Sequence, residues 1–250
     1  DDASRKVVCT LEQDDIMDGL NWLHKWYQDG IINPDANVVT DGGKGSIFGS
    51  AQGWPAAATT WAFNQGIEKY DLTQVFGPLY TTETIQGSMN AISANSKYKT
   101  EALKVLQLMN TDPKFRDMCA YGTEGNYMEY AEDGTVQKLR DDWNWPSYTQ
   151  GTFFILSTQA DGDPDAWNQV KEQNESATSS TCLGFALDVT NIQNEIANCN
   201  TVWDKYKNDL LTGASDPATA VPACIEELKA AGLDTVIEEA QKQVDEFFAN

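Results

Sequence analysis

The chain has 250 residues, enough to bury roughly three quarters of its unfolded surface in one large domain or two small ones. Its 41% hydrophobic and 22% charged residues are those of a globular protein, but 38 acidic against 17 basic side chains leave a net charge of −21. That charge repels phosphate backbones and anionic lipid at long range, which argues against nucleic-acid and membrane-surface partners.

The first six residues, Asp1-Asp2-Ala3-Ser4-Arg5-Lys6, have neither the basic start nor the apolar core of a secretion signal. Any export signal is therefore expected to have been removed or to lie outside this sequence. No uncharged apolar run is long enough to span a bilayer as a helix. Asp14 to Asp29 reads as an amphipathic helix, because Ile16, Leu20, Leu23 and Tyr27 fall on one face while Asp18, Asn21, Lys25 and Gln28 fall elsewhere. Gly30 supplies its left-handed stop. Gly42-Gly43-Lys44-Gly45 leads into Ser46-Ile47-Phe48, a short buried strand, and residues 53–66 are aromatic, small and uncharged.

Val75 to Tyr80 and Ile85 to Ile92 read as extended. Asn95 or Ser96 then caps a helix whose core face is Ala102, Leu103, Leu106 and Met109, and Asp112-Pro113 opens a second, with Asp as cap and Pro in the first turn. Asp133-Gly134 predicts a hairpin turn between Tyr127–Tyr130 and Thr135–Leu139, followed by an aromatic loop from Trp143 to Tyr148. Beyond it, Asp163-Pro164 opens a helix, and Thr190–Lys207 and Val221–Ala231 form two more, with Gly232 breaking the latter. A last helix starts at Asp234, with Val236, Ala240, Val244 and Phe247 inward and Glu238, Glu239, Lys242 and Glu246 outward. The first half thus alternates helix and strand and the second is mainly helical, an α/β pattern rich in helix.

Few chemistries find their residues here. Cys9, Cys119, Cys182, Cys199 and Cys224 are scattered and never form Cys-x-x-Cys, so zinc and thioredoxin-like chemistry lack support; Cys182 and Cys199 could bridge, but buried thiols are the expectation. His24, the single histidine, lies beside the apolar stripe of the first helix and reads as half-buried rather than catalytic. No Gly-rich phosphate loop or dinucleotide fingerprint occurs, and no cofactor is expected. Asp161, Asp163, Asp165 and Glu172 match positions one, three, five and twelve of a calcium loop, but Ala166 stands where that loop needs Gly and Pro164 stiffens its middle. A solvated loop ending in a helix cap is the expected reading. What remains is a supply of loop aromatics beside polar groups: Trp54 in Gly53-Trp54-Pro55, Trp61, and Trp143, Trp145 and Tyr148 in Trp143-Asn144-Trp145-Pro146-Ser147-Tyr148. A flat ring covers the C–H face of a pyranose while nearby Asp, Glu and Asn engage its hydroxyls, so the mixture suits a neutral sugar. Taken singly, each tryptophan is expected to fill a core or interlobe gap, while together at least one is expected to line a ligand cleft; a glycoside hydrolase using a carboxylate pair such as Glu124 and Asp188, or a peptide receptor, are the alternatives.

Three stretches resemble the extracellular solute-binding proteins, family 1, of ABC sugar importers, in particular the long lipoproteins of Firmicutes type. They are Trp26-Tyr27-Gln28-Asp29-Gly30-Ile31-Ile32-Asn33-Pro34-Asp35-Ala36, then Gly45-Ser46-Ile47-Phe48 with Gly53-Trp54-Pro55, then Tyr121-Gly122-Thr123-Glu124-Gly125-Asn126-Tyr127. The tail, with Leu183-Gly184-Phe185-Ala186-Leu187-Asp188 and Leu228-Lys229-Ala230-Ala231-Gly232-Leu233-Asp234, is similar to the C-terminal region of unknown function in these lipoproteins. The resemblance implies a periplasmic-binding-protein type II fold of two α/β lobes closing on a hinge, of which this chain is mostly the C-terminal lobe. Residues 1–80 would be a C-terminal-lobe segment carrying the Trp54 turn, 81–118 the hinge crossing with a piece of the N-terminal lobe, and 119–250 the aromatic loop and helical tail. It implies a non-enzymatic, monomeric receptor that captures an oligosaccharide on the outer face of the membrane, is lipid-anchored through sequence absent here, and passes its ligand to ABC permease subunits. Trp54, Trp61, Glu124, Tyr127, Trp143, Trp145, Tyr148 and Asp188 are its candidate ligand contacts.

Overall fold

A computed structural model describes residues 3–39, 49–55, 57, 71–140, 142, 143, 145, 147 and 149–249. The predicted strand at Ser46-Ile47-Phe48, and Trp61 and Tyr148, lie outside the described residues. The chain divides into two compact units, one of residues 1–49 with 181–250 and one of residues 50–180. These divisions fall at 49/50 and 180/181, whereas the sequence reading divides the chain at 80/81 and 118/119. Periodicity reveals individual helices but not that the first helix joins the last three.

The first unit is helical. Helix α1 (Asp14–Gln28) begins with Asp14 and Asp15, whose negative charges favour a helix N-terminus, and Gly30 follows it at φ 73°. Its Leu20 is buried against Leu210 of the long helix α6 (Gln193–Thr212) and Val221 of α7 (Pro217–Ala230), with Ile16, Leu23, Trp203, Tyr206 and Ile225 around them. Gly213 ends α6 at φ 78°, and a Cβ there would lie 2.2 Å from the Leu23 carbonyl oxygen. Only glycine lets α6 end against α1 in this way. His24 uses the same junction, its Nδ1 2.7 Å from the Gly213 oxygen. Asp216 then caps α7, accepting from the Ala218 N–H at 3.0 Å, with Pro217 in the first turn. Gly232, at φ 110°, leads into α8 (Leu233–Phe248).

The chain's first residues are tied to its last. Arg5 Nε donates to the Thr181 carbonyl (2.8 Å) with its guanidinium over the Phe248 ring, the Val7 N–H donates to Gln241, and Lys229 pairs with Glu12. Asn37 donates to Asp209.

The second unit places helix α2 (Thr82–Ile85) and the contacting pair α3 (Lys99–Thr111) and α4 (Pro113–Tyr121) beside two small sheets. Strand β1 (Leu79–Tyr80) pairs parallel with β4 (Thr178–Ser179), and β2 (Met128–Tyr130) pairs antiparallel with β3 (Val136–Lys138), Tyr130 opposite Val136. Its core is Tyr121, Met128, Val136 and Leu156, flanked by Phe153 and Trp167, the latter on helix α5 (Ala166–Glu175). The structure is helix-rich with few strands, as the sequence reading expects.

Several local expectations change. The extended segment expected at Ile85–Ile92 is instead entered by α2, because the Thr81 hydroxyl accepts from the Thr84 N–H and the Thr84 hydroxyl accepts from the Thr81 N–H, a reciprocal cap that starts a helix. Helix α6 starts later than Thr190 and runs on to Thr212, since Leu210 has a core to enter; α7 starts at Pro217 rather than Val221 because proline is tolerated in a first turn. Leu103 is 59% exposed and Phe247 47%, against expectation, while Met109 of α3 and Ala240 and Val244 of α8 are buried as expected. Cys199 directs its thiol at the Leu228 carbonyl (3.8 Å) rather than at Cys182, while Cys9 and Cys224 are buried thiols, as expected.

Candidate functional site

Two of the aromatic residues singled out in the sequence, Tyr127 and Trp143, meet in the second unit at the C-terminal end of α4. Asp112 caps that helix, accepting from the Phe115 N–H at 3.0 Å, and Pro113 sits in its first turn. The helix stops at Gly122, φ 91°, where a Cβ would fall 2.5 Å from Cβ of Tyr127. Glycine therefore lets the Glu124–Tyr127 turn fold back on the helix end, closed by the Tyr127 N–H donating to the Thr123 carbonyl (2.9 Å) and the Gly125 N–H to Met128 (2.8 Å). The hairpin follows, its turn held by Asp133, whose Oδ1 accepts from the Thr135 N–H and hydroxyl. Those two hydrogen bonds keep the Asp133 carboxyl below its ordinary value.

Tyr127 lies in a cluster. Its ring centroid is 5.4 Å from that of Trp143, and the Arg140 guanidinium stands 4.8 Å over it while also bonding Asp142. Trp143 is anchored by its Nε1, which donates to the Cys119 carbonyl at 3.0 Å, yet it remains 36% exposed. An indole held by its N–H with part of its face in solvent is suited to stacking on an apolar ligand surface. Trp145 is half-buried, and its Nε1 is buried with no acceptor among the described residues. Glu124 is exposed beside this cluster. Trp54 is in the same unit, half-buried at a turn closed by the Ala57 N–H donating to its carbonyl (2.9 Å).

Asp188 belongs to the first unit, not to that of Glu124. Its Oδ1 accepts from the Thr190 N–H (2.9 Å) and hydroxyl (2.6 Å), which holds its carboxyl below the usual range, and its backbone is bonded twice to Gln243 of α8. The carboxylate therefore shapes the turn before α6. The calcium-like spacing resolves the same way: Asp163 accepts from the Asp165 N–H (2.8 Å) and Gln169 (2.6 Å), and Asp165 accepts from Asn168 (2.7 Å), which secures the start of α5. Among the described residues no group of three or more His, Cys, Asp or Glu side chains could hold a metal ion.

Two residues that the sequence reading passed over organise the site. Arg116 and Asp117, adjacent on α4, are 0% and 1% exposed. Arg116 Nε donates to the Thr152 carbonyl and Nη2 to Ser147, both at 2.9 Å; Asp117 accepts from the Ser157 N–H and hydroxyl at 2.8 Å and from the Tyr130 hydroxyl at 2.9 Å. Burial lowers the Arg116 guanidinium pKa; burial and the bond to Asp117 push the Tyr130 hydroxyl up to about 12. Their one sequence signal is an opposite-charge pair between Phe115 and the apolar stretch Met118-Cys119-Ala120. In the first unit a groove of about 600 Å³ runs between Leu11 and Met17 on one side and Val221 and Ile225 on the other. None of the predicted ligand residues lines it.

With this geometry in view, the comparisons with known proteins become specific. The chain is 28% identical, over 98% of its length, to a carbohydrate ABC transporter substrate-binding protein of Streptococcus pneumoniae serotype 4 (strain ATCC BAA-334 / TIGR4). It superposes on crystal structures of the N-glycan transport solute-binding protein NgtS from Streptococcus pneumoniae. One matches with a TM-score of 0.85 and 26% identity over 98% of this chain; another, in complex with Man5GlcNAc, matches with 0.73 and 26% over 100%. The chain is similar to solute-binding proteins. Its residues 181–249 match the family described as Domain of unknown function (DUF3502), the tail that the sequence reading singles out. The chain spans about half the length of the relatives it matches, 52% of the curated protein and 56% of the first NgtS structure.

Proposed function

We propose that this chain is part of an extracellular receptor that captures a neutral oligosaccharide and delivers it unchanged to the permease of an ABC importer. The observation that carries this reading is the likeness, along 98% of the chain or more, to NgtS structures in complex with Man1GlcNAc and Man5GlcNAc. The exposed, anchored Trp143 beside Tyr127, with Trp145 and Trp54 in the same unit, supports sugar stacking, and the net charge of −21 supports an uncharged ligand. In the whole protein, residues 1–80 and 119–250 would belong mainly to the C-terminal lobe and 81–118 would cross the hinge, with ligand driving closure through its higher affinity for the closed state. A lipid anchor outside this sequence would hold the receptor at the membrane.

The test is calorimetric titration of the full-length protein with neutral N-glycan fragments, with mass spectrometry of the recovered sugar. Saturable heat with the glycan recovered intact is expected, and Trp143→Ala and Trp54→Ala should each weaken binding at least tenfold, about 1.4 kcal/mol. Absence of saturable binding across a panel of neutral oligosaccharides, or release of shortened glycan, overturns the reading.

A further inference from the structure

The buried pair Arg116 and Asp117 stands outside the candidate ligand contacts, and its hydrogen bonds go to two separate pieces of the second unit. Arg116 holds the segment after Trp145 through the carbonyls of Ser147 and Thr152. Asp117 holds Ser157, further along the same segment, through two bonds, and holds the β2–β3 hairpin through the Tyr130 hydroxyl. The same helix end receives the Trp143 Nε1 at Cys119, and its Tyr121 hydroxyl donates to the Ser157 carbonyl at 2.7 Å. The approach is close: at Gly151 (φ 73°) a Cβ would lie 2.8 Å from the Met109 carbonyl oxygen and 3.1 Å from Arg116 Nε. Arg116 Nη1 is buried with no partner among the described residues, so the guanidinium rests on its Nε and Nη2 bonds, and removing one member of such a buried network leaves its partners unsatisfied.

We infer that Arg116 and Asp117 are positioning residues for the glycan-stacking rings. By fastening the hairpin that follows Tyr127 and the segment that follows Trp145 to a single helix, the pair fixes Tyr127, Trp143 and Trp145 relative to one another before ligand arrives. The inference rests on the proposed function for its binding consequence, but the ring placement is measurable without any ligand. Preorganised rings bind better because their ordering cost is met on folding rather than on binding.

The experiment labels the full-length protein with 5-fluorotryptophan, assigns the Trp143 and Trp145 resonances by Trp143→Phe and Trp145→Phe, and compares wild type with Arg116→Lys, Asp117→Asn and Tyr130→Phe. Lysine reaches one carbonyl where arginine reaches two, asparagine leaves an N–H₂ facing two hydroxyl donors, and phenylalanine deletes only the hairpin tie. The expected result is broadening or splitting of the Trp143 and Trp145 fluorine lines, with other tryptophan lines unchanged, and a ten- to thirtyfold lower affinity for Man5GlcNAc in Arg116→Lys and Asp117→Asn. About threefold is expected in Tyr130→Phe. All measurements are made well below each variant's melting temperature, where a residue that only stabilised the fold would leave both readouts at wild-type values. Wild-type fluorine spectra, or wild-type affinity, in the folded variants refutes the inference. If Asp117→Asn fails to fold, Arg116→Lys and Tyr130→Phe decide it by the same two readouts. If the wild-type protein binds no glycan, the proposed function fails while the fluorine spectra still decide the ring placement.

Discussion

Replacing Gly213 by alanine isolates how closely α6 ends against α1. Three costs add at this position. A side chain at φ 78° carries about 1–2 kcal/mol of backbone strain. The new Cβ would also sit 2.2 Å and 2.4 Å from the Leu23 carbonyl oxygen and carbon and 2.7 Å from the His24 nitrogen. All three are backbone atoms of α1, so no side chain can swing aside, and separating the helices adds about 1–3 kcal/mol. The shift also breaks the His24 contact with the Gly213 carbonyl, worth about 1 kcal/mol. The expected total is about 3–6 kcal/mol. Gly30→Ala is the matched control: its φ is 73°, but nothing lies within 4 Å of the added Cβ, so strain alone, about 1 kcal/mol, applies. In urea unfolding followed by far-ultraviolet circular dichroism, with a slope of about 2 kcal/mol per molar, the midpoint should fall by about 1.5–3 M for Gly213→Ala and about 0.5 M for Gly30→Ala. Equal midpoints for the two variants would refute the close contact of α6 with α1.

Leu210→Ala, which empties the fully buried centre of the first unit, should cost about 3–4 kcal/mol in the same assay, whereas Trp22→Ser on the exposed face of α1 should change stability by less than about 0.5 kcal/mol. Tyr130, pushed up to about 12 by burial and by its bond to Asp117, stays neutral through pH 10; its contribution to stability is complete below the ordinary tyrosine value and is lost as pH rises through 12. In Asp117→Asn its ionisation, read by absorbance near 295 nm, should move down toward the ordinary value without reaching it, because burial is the larger cause. Asp188, held low by Thr190, contributes stability that is present above the ordinary aspartate value and lost as pH falls through its own lower one. Carbon-13 NMR titration of Thr190→Val should move the Asp188 carboxyl up toward the ordinary aspartate value without reaching it, because the Thr190 N–H still donates to it, and an unmoved midpoint would contradict the Thr190 hydroxyl as its main partner.

What the sequence made legible was local. Helix α1 followed from the spacing of Ile16, Leu20 and Leu23 and the stop at Gly30, α4 from Asp112-Pro113, and the hairpin from Asp133-Gly134, because each signal is carried by neighbours in the chain. Tyr127 and Trp143 were also named, and the structure brings their rings within 5.4 Å. The misses share one cause, a partner far along the chain. The turn at Asp188 is set by Thr190 and by Gln243, 55 residues away, which periodicity does not reveal. Arg116 and Asp117 drew no attention because charged residues on a helix usually face solvent; their burial depends on Ser147, Thr152 and Ser157, which arrive 31 to 40 residues later.

The composition of the first unit bears on how this protein can be recombined. Residues 181–249 carry a family boundary at their start, and a gene engineer would be tempted to transplant them as a cassette. Leu210 and Val221 would then leave behind Leu20, the side chain that completes their cluster, and Gln241, Lys229 and Asp209 would lose Val7, Glu12 and Asn37. The exchangeable piece is discontinuous: the tail travels with residues 3–39 of the same parent. Chimeras between relatives that swap both segments together should fold, and those that swap the tail alone should not.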